Sequence, residues 1–337
     1  MGRPGEGRDN NTAGFGEFEL IARLFAPLSD AAHGFQLTDD VGLVPDTDNR
    51  VCVTSDMIVA GVHFLPDDPP DTIARKLVRV NVSDIAAKGA EVSGLQLSAA
   101  FNKDRDVSWI EAYAFGLADD LALFGAPLIG GDTVRTPGPD SFSLTAFGRV
   151  GPHGLVRRTG AQPGDGLYVT GTIGDAALGL KILKGELGVV PLGRRQPLVE
   201  RYRVPTPRHA FGAGLGAFAS SALDVSDGLL ADAGHLATAS GVSLDVSFDR
   251  VPLSGSAARL VKGNADLHLS LMGAGDDYEI LFTTSTDNSD ALAELAGASD
   301  TPVTRIGHVG KGPAGTVTLR DSAGDVLTVP SRGFRHF

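Results

Sequence analysis

The chain has 337 residues, which is enough for two domains of ordinary size. Its formal net charge of −12 argues against a nucleic-acid surface, because such surfaces need clustered Lys and Arg. The single cysteine, Cys52, excludes an intramolecular disulfide.

The N-terminal stretch is polar and rich in glycine, and residues 1–14 are predicted to form a disordered extension. This stretch lacks the apolar segment of a signal peptide. No apolar run in the chain reaches the roughly 18 residues that a membrane-spanning helix needs. The sequence therefore predicts a cytoplasmic protein that binds neither a membrane nor nucleic acid.

Helical and strand-like patterns follow in alternation. Helices are predicted where apolar residues recur three and four positions apart, and strands where short apolar runs are bounded by turn formers. In the first half they are a helix over 17–28, strands over 35–44 and 51–59, a helix over 71–90, a strand over 92–101, a helix over 107–124, and strands over 127–129 and 141–150.

A turn-rich stretch around Gly151 marks the expected boundary between a first domain over 15–151 and a second over 152–337. The second half continues with a strand over 167–170, helices over 175–184 and 207–218, a strand over 222–225, a helix over 229–240, strands over 242–248 and 278–283, a helix over 291–296, and strands over 303–309 and 316–320. Both halves mix helices and strands, so the predicted class is α/β or α+β, and the pattern leaves that choice open.

Aspartates next to small or hydroxyl residues recur along the chain, without a lysine-bearing nucleotide motif. Carboxylate oxygens suit Mg²⁺, which also takes phosphate oxygens and water. The pattern therefore indicates a site where metal ions, rather than a lysine, neutralise phosphate. The motifs are Thr38-Asp39-Asp40, Thr54-Ser55-Asp56, Asn81-Val82-Ser83-Asp84, Gly130-Gly131-Asp132-Thr133 and Asp224-Val225-Ser226-Asp227-Gly228.

Each motif also has an ordinary structural interpretation. Asp39 and Asp40 fall inside a predicted strand. They could form a turn at the edge of the sheet, or one of the two carboxylates could face a metal. Asp56 ends the strand-like stretch Val51–Ser55, a position that suits a turn as well as a site. The Gly130-Gly131 pair could admit phosphate to the backbone or could be a simple turn.

Two further aspartates have competing explanations of their own. Asp84 lies in the middle of a predicted helix, where Lys88 at i+4 offers a salt bridge and a metal offers a stronger partner. Ser226 or Asp227 could cap the helix that begins near 229. A cap does not explain Asp224, so that motif favours a cap and an anion site together.

Taken together, these motifs resemble those of the thiamine-monophosphate kinases, within the superfamily typified by aminoimidazole ribonucleotide synthetase. The resemblance runs from Gly16 to Phe337 and depends on the order and spacing of several pieces. The most specific pieces are Ser55-Asp56 with Gly61-Val62-His63-Phe64, Asn81-Val82-Ser83-Asp84-Ile85-Ala86-Ala87, Leu128-Ile129-Gly130-Gly131-Asp132-Thr133, Arg158-Thr159-Gly160-Ala161, Asp224-Val225-Ser226-Asp227-Gly228-Leu229 and Asp277-Tyr278-Glu279.

This resemblance implies an ATP-dependent phosphorylation of thiamine monophosphate to thiamine diphosphate. It also implies two mixed α/β domains and a homodimer, with the N-terminal ATP- and Mg-binding domains sharing a β-barrel. By motif, the implied Mg²⁺ ligands are Asp40, Thr54, Ser55, Asp56, Asp84, Asp132, Asp224 and Asp227. The implied catalytic residues are Asp56, Asp84 and Asp132, the ATP contacts are Gly131, Asp132, Arg158 and Ser226, and the substrate contacts are His63, Asp276 and Phe334.

The sequence departs from the family's pattern at three places. Thr38 stands where the family usually has Gly, and Asp276 stands where it often has Glu. Ser331 replaces a frequent Trp near the C-terminus, which leaves Phe334 to stack on the thiazole or pyrimidine ring.

Two alternatives to the kinase remain open. One is another ATP-using enzyme of the superfamily, although Cys52 does not match the reactive cysteine expected near the N-terminus of a selenium-transfer enzyme or at the C-terminus of the hydrogenase-maturation enzyme. The other is a non-catalytic Mg-nucleotide-binding protein.

Overall fold

The structure is a computed structural model that describes residues 17–334. Up to residue 150 its helices and strands are α1 Glu17–Leu20, β1 Gly42–Leu43, β2 Val51–Val59, α2 Pro70–Ala87, β3 Ala90–Asn102, α3 Val107–Phe124, β4 Leu128–Thr136 and β5 Ser141–Val150. The strands form one sheet in the order β1-β2-β5-β3-β4, in which only β3 and β4 run parallel.

The second part of the chain builds a six-stranded sheet. Its elements are β6 Gly166–Thr170, α4 Asp175–Leu183, α5 Leu192–Arg203, α6 His209–Leu215, β7 Ser221–Asp224, α7 Leu229–Ser240, β8 Ser243–Ser247, α8 Gly255–Val261, α9 Ala265–Ser270, β9 Ile280–Thr284, α10 Ser289–Ala298, β10 Val303–Gly310 and β11 Thr316–Arg320. The strand order is β11-β8-β10-β6-β9-β7, and only β11 and β8 are parallel. The mixed α/β class predicted from the sequence is confirmed.

Helix α2 lies between the two sheets and positions the site. It begins at Pro70, whose fixed φ suits a first helical position, and Gly89 follows its end with φ +70°. Thirteen of its 18 residues are buried, so both of its faces are covered. One face packs on the first sheet, and a Cβ on Gly212 of α6 would come within 2.3 Å of the Ala86 carbonyl oxygen on the other.

Two predicted elements near the start of the described chain differ from the structure. Residues 17–28 are helical as predicted, but the α-helix ends at Leu20 and continues as a π-helical turn and a 3₁₀ turn that contains Pro27, which cannot donate a helical hydrogen bond. The strand over 35–44 is instead a 3₁₀ turn, Phe35–Leu37, followed by a two-residue strand. Asp39 and Asp40 therefore lie in a connecting segment.

Two further differences concern the length and the number of the elements. The strand predicted over 127–129 extends to Thr136, so Gly130, Gly131 and Asp132 lie within β4 and not after a strand. Helices α5, α8 and α9 were not predicted, since α5 contains Pro197 and the other two are short. The extension expected over 1–14 lies outside the described residues. Within residues 17–334, the helices are all too short or too polar to cross a membrane.

Candidate functional site

A cavity of about 670 Å³ is lined by residues from both parts of the chain. Strand β2, helices α2 and α4, the end of β7 and the segment before β9 all contribute to its wall. Eight of the residues predicted for the site line this cavity: Asp56, His63, Asp84, Asp224, Ser226, Asp227, Asp276 and Phe334. Residues far apart in the sequence therefore meet around one space.

Three carboxylates converge most closely. Asp40, Asp84 and Asp224 each place a ligand oxygen within 4.8 Å of the other two. Asp84 lies in the last turn of α2, and its Oδ2 accepts a hydrogen bond from Thr54 Oγ1 at 2.7 Å. Asp224 is the last residue of β7, and its Oδ2 accepts a hydrogen bond from Ser83 Oγ at 2.7 Å. Ser83 is a residue whose role the sequence did not indicate, although it belongs to a quoted motif.

Burial and mutual repulsion perturb these acids. Burial, with the charges of Asp40 and Asp227, raises the pKa of Asp56 to about 6. Burial, with the charge of Asp40, raises the pKa of Asp224 to about 7. Burial, together with its carboxylate neighbours, raises the pKa of Asp84 well above the ordinary value. The cluster carries more negative charge than such an environment stabilises by itself.

This donor set fits a hard divalent cation. Every contributing group is a carboxylate or hydroxyl oxygen, which is the ligand type that Mg²⁺ prefers. A cation among Asp40, Asp84 and Asp224 would offset the repulsion that raises the pKa values of Asp84 and Asp224. The residues present therefore fit the metal ions that the resemblance implies.

The cationic side chains near the cluster bind the Asp39-Asp40 pair. Lys88 Nζ lies 2.9 Å from Asp39 Oδ1, contacts Asp40 and donates to the Ala222 carbonyl at 2.7 Å. The predicted alternative of a Lys88–Asp84 salt bridge is therefore wrong, because Lys88 lies just past the end of α2 and extends toward the segment before β1. Arg158 forms an ion pair with Asp40, which places this predicted ATP contact beside the cluster.

Six predicted residues do not line the cavity. Asp40, Thr54 and Arg158 belong to the carboxylate cluster or bond to it, whereas Ser55, Gly131 and Asp132 make other contacts. Ser55 Oγ donates to the Leu144 carbonyl at 3.2 Å, since alternate residues of β2 face opposite sides of the sheet and Thr54 takes the side of Asp84. Asp132 is exposed on β4, where its Oδ1 accepts from the Thr133 N–H at 2.9 Å. A Cβ on Gly131 would come within 1.8 Å of the Leu97 carbonyl oxygen, so the sheet itself requires this glycine.

The start of α7 differs from the predicted cap. Gly228, with φ +126°, occupies the N-cap position and provides no side-chain hydrogen bond. Asp232 instead accepts hydrogen bonds from the N–H groups of Asp227 and Gly228, at 3.1 and 3.0 Å. The Ser226 and Asp227 side chains are therefore not needed as caps. Asp227 also lies within 4.8 Å, ligand atom to ligand atom, of Asp232 and His235.

The residues predicted to contact the substrate form a part of the cavity wall separate from the carboxylate cluster. His63 Nδ1 accepts from the Val59 N–H at 3.1 Å, which fixes its ring. The Phe334 N–H donates to the Asp227 carbonyl at 3.0 Å, and its half-exposed ring lines the cavity. Tyr202 and Tyr278 also line the wall and were not predicted. Tyr202 comes from the unpredicted helix α5, so no sequence pattern located it.

The chain forms two β-sheets packed with helices, and a cavity lined by acidic side chains lies between them. These features define the class of protein. A family model described as AIR synthase related protein, N-terminal domain, matches residues 38–150, and its C-terminal counterpart matches residues 162–320. The chain belongs to the AIR synthase related family and, within it, to the thiamine-monophosphate kinases. The family resemblance inferred from the motifs is thereby confirmed.

Individual relatives are similar over most of their length. The thiamine-monophosphate kinase of Caulobacter vibrioides is 40% identical over 301 residues, which cover 88% of this chain and 84% of the relative. That of Escherichia coli K12 is 38% identical over 325 residues, covering 96% and 98%. Among solved structures, AaThiL complexed with AMPPCP and TMP has a TM-score of 0.83 at 28% identity, covering 96% of this chain and 97% of the other.

Proposed function

We propose that this chain transfers the γ-phosphoryl group of ATP to thiamine monophosphate, giving thiamine diphosphate and ADP. The observation that carries the proposal is the convergence of Asp40, Asp84 and Asp224 within 4.8 Å at a cavity that both sheets line. Relatives named thiamine-monophosphate kinase, and one solved with AMPPCP and TMP, support the choice of substrates.

The main barrier to this reaction is the approach of two polyanions. When bound, Mg²⁺ would neutralise phosphate charge and so lower the repulsion between donor and acceptor. The residues that would hold the ions are Asp40, Thr54, Asp56, Asp84, Asp132, Asp224 and Asp227. Ser55 is omitted because its hydroxyl bonds to Leu144 on the other face of β2.

Direct, in-line transfer is the proposed chemistry. An oxygen of the acceptor phosphate forms a bond to the γ-phosphorus while the bond to the β,γ-bridging oxygen breaks, and ADP carries away that electron pair. The acceptor phosphate is already ionised near pH 7, so no strong general base is needed. Arg158 and Ser226 are proposed to contact ATP, while His63, Asp276 and Phe334 contact the thiamine phosphate.

A homodimer would complete the site. Among residues 17–334, no strand pairs with the outer edge of β4, and residues 54–59 of β2 pair only with β5. If these two edges met across a two-fold axis, they would close a barrel and bring Asp132 of the partner subunit toward Thr54 and Asp56. Exposed apolar side chains on β4, Ile129 and Val134 among them, support this arrangement.

The domain division and the location are also proposals. We place the boundary between 15–151 and 152–337, which is supported by the end of the first sheet at Val150 and the start of the second at Gly166. ATP-dependent synthesis of a cofactor fits the cytoplasm.

The function is tested by measuring ADP release with Mg²⁺ and ATP, in the presence and absence of thiamine monophosphate. The expected result is ADP formation only with the acceptor, in equal amount to thiamine diphosphate identified by mass spectrometry. ADP formation that ignores thiamine monophosphate would favour another ATP-using enzyme. Nucleotide binding without turnover would favour a binding protein. Either outcome contradicts the proposal.

Direct transfer is tested by rapid acid quench with γ-³²P-labelled ATP. The label is expected to appear in thiamine diphosphate without passing through protein. A ³²P label that stays on the protein after the acid quench, and that hydroxylamine then releases, would indicate a phospho-aspartate. This result would exclude the direct route.

A further inference from the structure

Lys76 is a buried cation whose contacts all lie in the cavity wall. Its side chain is 2% exposed, and its Nζ lies 2.9 Å from Asp276 Oδ2 and 2.9 Å from the His63 carbonyl oxygen. The same ammonium lies 4.1 Å from the centroid of the Tyr202 ring. Asp276, His63 and Tyr202 line the cavity, whereas Lys76 lies behind them.

These contacts leave Lys76 with no means of binding a ligand directly. An ammonium has three N–H donors. Two hydrogen bonds and one aromatic face account for all three. Burying such a charge costs several kcal/mol unless it is paired, so the contact with Asp276 is what makes this lysine tolerable inside the protein. The function of Lys76 must therefore act through its neighbours.

Asp276 needs external support in its observed conformation. Its backbone has φ +71°, and that of nearby Tyr278 has φ +50°, a region that side-chain-bearing residues adopt only when their surroundings impose it. Asp276 Oδ1 accepts from Tyr278 Oη at 3.2 Å, and Oδ2 accepts from Lys76. Both oxygens are thus held, although the side chain stays 30% exposed.

The oxygens of Asp276 retain lone pairs for a ligand. A carboxylate has about four acceptor sites, and the two protein donors occupy two of them. The remaining sites on this cavity-lining side chain can accept from a donor in the cavity. Thiamine monophosphate offers a cationic thiazolium ring and an aminopyrimidine N–H donor, both of which suit a fixed carboxylate beside aromatic side chains.

We propose that Lys76 is a positioning residue for the organic part of the substrate, and that it acts by holding Asp276 in the cavity wall. This inference rests on the proposed function. Lys76 joins α2 to the part of the wall that would bind thiamine. Because α2 also carries Asp84, this one helix would position both the phosphate and the heteroaromatic parts of the acceptor.

The test compares Lys76→Met with Arg75→Met in steady-state kinetics for both substrates. Methionine keeps the unbranched stem and removes the charge. Arg75 lies on the same helix and contacts Asp120, which keeps two hydrogen bonds from Arg79. Lys76→Met is expected to raise KM for thiamine monophosphate by at least about tenfold. The KM for ATP, and both constants in Arg75→Met, should stay within about twofold of wild type.

A merely structural role would not separate the two substrates. Equal shifts in both KM values, or none, would overturn the inference while leaving the proposed function intact. A wild-type protein that does not phosphorylate thiamine monophosphate would overturn both.

A second pair of variants covers the case in which Lys76→Met does not fold. Asp276→Asn and Asp276→Asn/Lys76→Met are expected to share one raised KM for thiamine monophosphate, because Lys76 acts through Asp276 and the double variant buries no unpaired charge. A much larger KM in the double variant would contradict this.

Discussion

Ser83 Oγ donates a hydrogen bond to Asp224 Oδ2 at 2.7 Å and thereby joins the helix between the sheets to the end of β7. Both residues are buried. Burial raises the pKa of Asp224, and the hydrogen bond from Ser83 opposes that rise by favouring the charged carboxylate. Ser83 therefore orients a proposed metal ligand and keeps it ready to bind a cation.

Replacing Ser83 tests this role. Ser83→Ala should raise the Mg²⁺ concentration needed for half-maximal activity by about 10- to 100-fold, the usual cost of losing a group that orients a metal ligand. Activity measured over a Mg²⁺ titration reports the change. Ser93→Ala removes a hydroxyl that bonds to the Phe147 carbonyl and should leave the titration unchanged. A wild-type titration curve for Ser83→Ala would contradict the assignment.

Asp84→Asn should separate activity from stability. The rate should fall by at least about 100-fold, because charge stabilisation by a bound cation is worth several kcal/mol. Without Mg²⁺, however, the variant should melt no lower than wild type, since it removes one of several repelling buried charges. Initial rates and thermal melts in EDTA measure the two effects. The exposed Asp119→Asn should change neither, and near-wild-type turnover of Asp84→Asn would remove Asp84 from the site.

The metal-free protein should lose stability as the pH rises from about 4 to about 7. The folded-state pKa values of Asp56 and Asp224 are about 6 and about 7, above the ordinary 3.8. Between these limits the native state binds more protons than the unfolded state, so the free energy of unfolding falls with pH, and the loss is complete above about pH 7. Mg²⁺ should restore stability at pH 8.

Comparison with Asp224→Asn isolates this effect from other titrating groups. In EDTA, the melting temperature of wild type relative to Asp224→Asn should be lower at pH 8 than at pH 5. A constant difference would show that Asp224 does not titrate abnormally.

The sequence predicted the central residues of the site at positions where an aspartate is unusual for the surrounding helix or strand. Asp84 in the middle of an apolar helix and Asp224 at the end of a buried strand each indicated a special partner, and the two carboxylates do converge. The sequence could not predict how Asp39 and Asp40 are held. Their ion-pair partners Lys88 and Arg158 are 48 or more positions away, so only tertiary folding reveals them.

Local patterns also failed where a long-range contact decides the role of a residue. Gly131 resembles part of a phosphate-binding turn, but it lies in β4, where the neighbouring strand leaves no room for a Cβ and so requires a glycine. Lys76 gave no motif at all, and its importance depends on Asp276, which is 200 residues away. Spacing in sequence carries no information about either contact.

The exposed edge of β4 provides the last prediction. Val134 is 50% exposed there, and Val134→Lys should produce a monomer, because a charge on an apolar strand edge opposes pairing with another copy. The monomer should also lose thiamine monophosphate kinase activity, since Asp132 would no longer reach the site of a partner. Sedimentation velocity and initial rates measure the two effects. Val189→Lys makes the same change at a fully exposed position outside the strands and should remain an active dimer. A wild-type protein that is monomeric and active would show that Asp132 acts within its own chain or not at all.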